Sequence, residues 1–200
     1  MKTIGITGGI GSGKSYVSDL LRKHFGIPVY DCDAEAKRLT AMDDGIRHRL
    51  IQLVGLEVFD GTTLNKQCLA SFLFASEENA RQVNAIIHPV VLKDFKLWAS
   101  KQEDKELVAL ESAILYESGF NAFVDKVLFV DAPEEVRLHR AMLRDTASEA
   151  QIRARMKMQQ PELHRQQADF VIDNSTSDDT RLLVRLTEIV QMIANSKIIK

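Results

Sequence analysis

Gly8, Gly13, Lys14 and Ser15 follow the spacing G-x-x-x-x-G-K-S within the stretch GITGGIGSGKS. That arrangement suits one kind of chemistry. Glycines let successive backbone N–H groups turn inward around phosphate oxygens, and a helix opening at Lys14 adds its positive end. The expected cradle for a nucleoside triphosphate is Gly11, Ser12, Gly13, Lys14, Ser15 and Tyr16. Lys14 is expected to bridge the β- and γ-phosphates, and the Ser15 hydroxyl to ligate Mg²⁺.

Two further sets of residues could act on what such a loop holds. Asp31 and Asp33 flank Cys32 in VYDCDAEAKR. A kinase acting on a hydroxyl needs a carboxylate to orient the oxygen and take its proton, and either aspartate qualifies. Asp33 could equally cap the helix that follows. Arg137, Arg140 and Arg144 recur at helical spacing, with Arg153 and Arg155 beyond. Guanidinium forks match the charge spread over a transferring phosphoryl group, although for any single arginine a solvated surface face is the commoner role. His88 reads as a local hydrogen-bonding residue, and Phe72, Phe74 and Trp98 as core.

These residues need elements to position them. TIGIT (3–7) reads as a buried strand running into the glycine loop. Val17, Leu20, Leu21 and Phe25 give the next helix its apolar face, and Gly26 closes it. IPVYD (27–31), LVALES (107–112), KVLFVDA (126–132) and DFVIDN (169–174) are further strands. Such unbroken apolar runs suit a parallel sheet covered on both faces, and their alternation with helices predicts an α/β fold. Leu182, Leu183, Leu186, Ile189, Val190 and Ile193 stripe the last helix. Residues 61–101 show no convincing strand and read as an all-helical insertion, with Pro89 placed in a first helical turn. Residues 148–168 are polar, with a weak apolar face, which predicts a mobile lid.

Composition narrows the function. The chain has 200 residues and a net charge of −2, so no basic field points to nucleic acid. Cys32 and Cys68 form neither a disulfide framework nor a zinc site. No apolar stretch is long enough to span a membrane, so a cytoplasmic protein is expected. An N/T-K-x-D base-reading motif and a D-x-x-G switch are both missing, which disfavours GTPases. Glu111 is the nearest acid to the Walker B carboxylate of motor ATPases. A small-molecule kinase remains. The alternatives are another P-loop kinase of a nucleoside or nucleotide, and a nucleotide-dependent switch that phosphorylates no metabolite.

ITGGIGSGKS, DCDAEAKRL, VNAIIHPVV, AILYE, VDAPEEVRLHRAMLRD, RMKMQQP and ADFVIDN together resemble the dephospho-coenzyme A kinase family, from about residue 4 to 174. The resemblance implies ATP- and Mg²⁺-dependent phosphorylation of the ribose 3′-hydroxyl of dephospho-coenzyme A, the last step of coenzyme A synthesis. It implies a five-stranded parallel P-loop sheet in one kinase domain, as a monomer or small homo-oligomer. The core would be 1–60, 102–139 and 166–200, with a helical acceptor lobe at 61–101 and a lid at 140–165. Asp33 matches the family's catalytic base, and Arg140 and Arg144 its lid arginines. Arg155 and Gln159 match the lid's R…Q, and Asn174 the asparagine beside adenine. Thr7, His88, Leu115 and Glu117 match positions lining the acceptor pocket, and Lys37 belongs to the same set. The chain departs from the family at Lys37 and Lys66, where arginine is usual, and at Ala113, where proline is common. Lysine keeps the charge but loses the bidentate fork.

Overall fold

The first apolar run forms β1, Lys2–Thr7, and ends where the glycines begin. The structure, a computed structural model, describes residues 1–176 and 178–195. Helix α1, Lys14–Phe25, buries Val17, Leu20 and Leu21, and Gly26 closes it with its N–H donated to the Leu21 carbonyl. β2 is Val29–Asp31. Next come α2 (Cys32–Met42), α3 (Asp44–Val54), a hairpin of β3 (Phe59–Asp60) and β4 (Thr63–Leu64), α4 (Lys66–Ala75) and α5 (Glu77–Ser100). The chain continues through β5 (Leu107–Glu111), β6 (Lys126–Asp131), α6 (Glu134–Arg144), α7 (Glu149–Lys157), α8 (Pro161–Gln167), β7 (Phe170–Asp173) and α9 (Asp179–Asn195).

Five strands among the described residues form one parallel sheet in the order β2-β5-β1-β6-β7. Lys2 lies opposite Leu107, Ile4 opposite Lys126, and Leu128 opposite Phe170. β5 is buried at every position, which is why it reads as an unbroken apolar run. Ile4, Ile6, Leu128, Val130 and Ile172 of the sheet share a core with Val17 and Leu21 of α1 and with Leu182, Leu186, Ile189 and Ile193 of α9. Each such aliphatic side chain contributes about 1.5–3 kcal/mol by leaving water. The Lys2 ammonium donates to the carbonyls of Ile193 and Ala194 at 2.6 and 2.7 Å, satisfying the acceptors left open at the end of α9.

The chain divides into two compact units, Met1–Tyr30 with Gln102–Lys200, and Asp31–Lys101. The helical unit therefore begins at Asp31, well before the expected 61. The reason is that α2 and α3 pack on α5, so residues assigned to the core by sequence belong with the insertion. The unit also holds the small β3–β4 hairpin, where no strand was expected. Pro89 is a further correction. It lies inside α5 rather than in a first turn, where it removes one backbone donor from a long helix.

Candidate active site

The glycine loop sits between β1 and α1, as its spacing requires. Gly11 has φ +76° and Gly13 φ +93°, backbone that side chains rarely adopt. Space enforces the same choice. A Cβ on Gly11 would meet the Arg137 carbonyl, and one on Gly13 would meet the Asn174 carboxamide. Gly13 occupies the N-cap of α1 and offers no side chain to it, and the first turn of the helix carries no acid. The opening N–H groups of α1 thus have no side-chain cap and favour an anion. The Lys14 ammonium donates to the carbonyls of Gly8 and Gly9 at 3.0 and 3.2 Å. The Tyr16 hydroxyl pairs with Asp179, so only its backbone is left for the cradle.

Ser15 is not alone. Its hydroxyl donates to Glu111 Oε1 at 2.8 Å, and Glu111 is buried at the end of β5. Sequence had marked Glu111 only as the nearest thing to a Walker B acid. Its position at the end of an apolar strand was the available signal, but the pairing with Ser15 is tertiary. Among the described residues no cluster of three or more His, Cys, Asp or Glu could hold a metal ion. The donors at hand are instead one hydroxyl and one carboxylate, both oxygen, which fits a Mg²⁺ held mainly by phosphates and water.

The arginines separate by environment. Arg137 does not join a basic face. It is 7% exposed, its Nε donates to the Ala132 carbonyl at 3.0 Å, and its guanidinium lies against Gly9. Its Nη1 has no hydrogen-bond partner among the described residues. It braces the loop from behind because the glycines leave room for it. Arg140 Nη1 donates to the Asn174 carbonyl at 2.8 Å, and Asn174 Nδ2 donates to the Ser12 carbonyl at 2.7 Å. Arg140, Asn174 and the loop are therefore linked in series. Arg144 donates to Asp145 at 2.9 and 3.3 Å, and Arg155 lies 3.8 Å from the same carboxylate. The hydrogen bonds from Arg144 hold the Asp145 carboxyl below its ordinary value. Arg153 faces Glu134, Glu135 and Glu149 on the surface.

The segment expected to be a lid is better anchored than its composition suggested. It forms α7 and α8 as separate helices, and Ile152 and Met156 are buried with Leu138 and Ala141. Ile10 of the glycine loop packs on the same cluster. Gln159 Oε1 accepts the Ile10 N–H at 2.8 Å.

Beyond β5, Leu115 is fully buried, and a Cβ on Gly5 would touch it, so its side chain packs against β1. Thr7, at the end of β1, is likewise buried. The Tyr116 ring stacks on His164 of α8 at 4.8 Å, and His164 Nε2 lies 3.9 Å from the half-exposed Glu117. These contacts join the loop after β5 to α8, the second helix of the lid segment.

In the helical unit, an open cleft of about 740 Å³ runs between α2, the hairpin, α4 and α5. Asp33, Lys37 and Lys66 line it, with Leu64, Leu69 and Ile87 as apolar floor. The cap of α2 is Asp31, whose Oδ1 accepts the Ala34 N–H at 2.9 Å. Asp33 is thus relieved of the capping role that sequence left open. His88 lies on α5, and burial pushes its imidazole below the ordinary value, favouring the neutral form.

A family model for dephospho-CoA kinases matches residues 2–179. The chain is 47% identical over 191 residues to a dephospho-CoA kinase of Bacteroides fragilis, covering 95% of this chain and 92% of the relative. It superposes on a solved Thermus thermophilus protein with TM-score 0.83 at 36% identity, over 95% of this chain and 96% of that one. A solved dephospho-CoA kinase from Campylobacter jejuni shares the fold, with TM-score 0.67 at 21% identity over 97% and 98% of the two chains.

Proposed function

The chain belongs to the dephospho-CoA kinase family, and from that premise we infer how its own residues carry the reaction. The enzyme transfers the γ-phosphoryl group of ATP to the ribose 3′-hydroxyl of dephospho-coenzyme A, the final step of coenzyme A synthesis. The observation that carries the reading is the glycine loop with its uncapped helix behind it and Lys14 at its mouth. Backbone N–H groups from Gly11 to Tyr16 hold the phosphates, and Asn174 and Arg140 fix the Ser12 side of that cradle. Lys14, Arg140 and Arg144 neutralise charge on the transferring group.

Asp33 accepts the proton of the attacking hydroxyl. The hydroxyl oxygen bonds to the γ-phosphorus, the bond to the β–γ bridging oxygen breaks, and ADP leaves. Support comes from Asp31 taking the cap and from Asp33 standing on a cleft with two lysines. Lys37 and Lys66 suit the acceptor's diphosphate, and the apolar floor suits its aliphatic arm. Thr7, His88, Leu115 and Glu117 belong to the same acceptor set, with the fully buried Leu115 acting through packing. The acceptor lobe is then the compact unit 31–101, and residues 140–165 are the lid that excludes water. A monomer or small homo-oligomer in the cytoplasm belongs to the same reading, as does the lack of a nucleic-acid partner, the last on a net charge of −2. No helix among the described residues is long and apolar enough to cross a membrane.

Ser15 with Glu111 would hold Mg²⁺, which would supply positive charge to the phosphates of bound ATP. Glu111→Gln is expected to raise the Mg²⁺ concentration for half-maximal rate by about 10–100-fold. A Mg²⁺ titration at fixed ATP checks this, and an unchanged midpoint removes Glu111 from the metal site. The activity itself is tested by incubating the protein with Mg-ATP and dephospho-coenzyme A and looking for coenzyme A by mass. Equal ATP consumption without the acceptor would overturn the reading.

A further inference from the structure

Ile10 is the one residue with a large side chain among the glycines of the phosphate loop. Gly9 and Gly11 flank it, so its peptide is otherwise free to turn. Two contacts remove that freedom, and both come from α6, α7 and the residues after them. The side chain packs on Leu138, Ala141, Ile152 and Met156. The N–H donates to Gln159 Oε1 at 2.8 Å. Gln159 is fixed in turn, since its own N–H donates to the Met156 carbonyl at 3.2 Å. The other flank of Gly11 is held through the Ser12 carbonyl by Asn174, which Arg140 secures.

We propose that Gln159 is a positioning residue for ATP, holding the glycine-rich half of the phosphate loop in its phosphate-binding shape before the nucleotide arrives. A loop ordered in advance does not lose its conformational entropy at the moment of binding. The lid segment thus acts on the donor phosphates from beneath the loop, by shaping it, as well as through its arginines. Gln159 touches no reacting atom in this role.

Three variants and two ligands test it. Gln159→Met keeps length and packing but removes the acceptor oxygen. Gln159→Glu keeps an oxygen for the Ile10 N–H. Gln159→Ala removes both. Amide exchange at Ile10 in the free enzyme is expected to speed up in the Met and Ala variants and to stay slow in the Glu variant. ATP binding by calorimetry is expected to weaken roughly 3–10-fold in Gln159→Met, the worth of one hydrogen bond. Adenosine, which lacks the phosphates, is expected to bind as to wild type. In steady state KM for ATP rises while kcat stays within about twofold. Three results would each overturn the proposal. ATP affinity could be unchanged or tighter in Gln159→Met. ATP and adenosine could weaken equally, which marks a general structural loss. Ile10 exchange could be the same in all variants, which denies the hydrogen bond itself.

Discussion

Lys14→Ala leaves a folded protein with almost no phosphoryl transfer. The ammonium lies on the carbonyls of Gly8 and Gly9, at 3.0 and 3.2 Å, at the mouth of the loop. Removing a preorganised cation aimed at developing charge costs roughly 10²–10³-fold in rate, or more where other donors cannot compensate. Nothing else in the loop carries a positive side chain, and Arg137 is spent behind it. Folding loses hydrogen bonds from a half-buried group, those to Gly8 and Gly9 being on the order of 0.5–1.5 kcal/mol each. A thermal melt near that of wild type, together with the lost turnover, is the expected pair of results. A folded variant that turns over normally would remove Lys14 from the mechanism.

Asp33→Asn is expected to slow transfer by roughly 10²–10⁴-fold, the usual worth of a positioned acid–base group. ATP affinity should hardly change, because backbone N–H groups of the loop and Lys14 hold the phosphates. The capping of α2 should hold as well, since the cap is Asp31 and not Asp33. That assignment sharpens the control. Asp31→Asn replaces one good cap by another, so it should leave both stability and turnover close to wild type. Single-turnover rates at saturating ATP and acceptor compare the two. If Asp31→Asn is the slow variant and Asp33→Asn the fast one, the base is the wrong carboxylate.

What could be read from sequence was what depends on near neighbours. The phosphate loop is a local pattern, and α1 and α9 announce themselves by residues three and four apart. The misreadings all turn on distant partners. Leu39, Ile46 and Leu50 are buried in α2 and α3, helices that pack on α5, so the helical unit starts earlier than composition suggested. Pro89 looked like a helix start because nothing local says that a longer helix will tolerate it. The lid segment's apolar face is only Ile152 and Met156, too few for periodicity to register, and the residues that complete it lie on α6 and in the loop. Arg137 shares its spacing with Arg140 and Arg144, but the room beside Gly9 draws it inward. Two residues decide whether Asp31 or Asp33 caps α2, and strand ends are not legible to that accuracy.

The register of β1 carries a consequence for the order of assembly on the ribosome. β1 is synthesised before its partners β5 and β6, and Lys2 closes onto the carbonyls of Ile193 and Ala194. The strand must therefore wait until β5, Leu107–Glu111, has emerged before it can pair. Residues 31–101 form a contiguous compact unit, whose internal contacts can settle while β1 is still waiting. The glycine loop takes its shape from Arg137, Gln159 and Asn174, all made late. A nascent chain thus gains its nucleotide grip only after Asn174 has emerged, and one truncated before that residue never does.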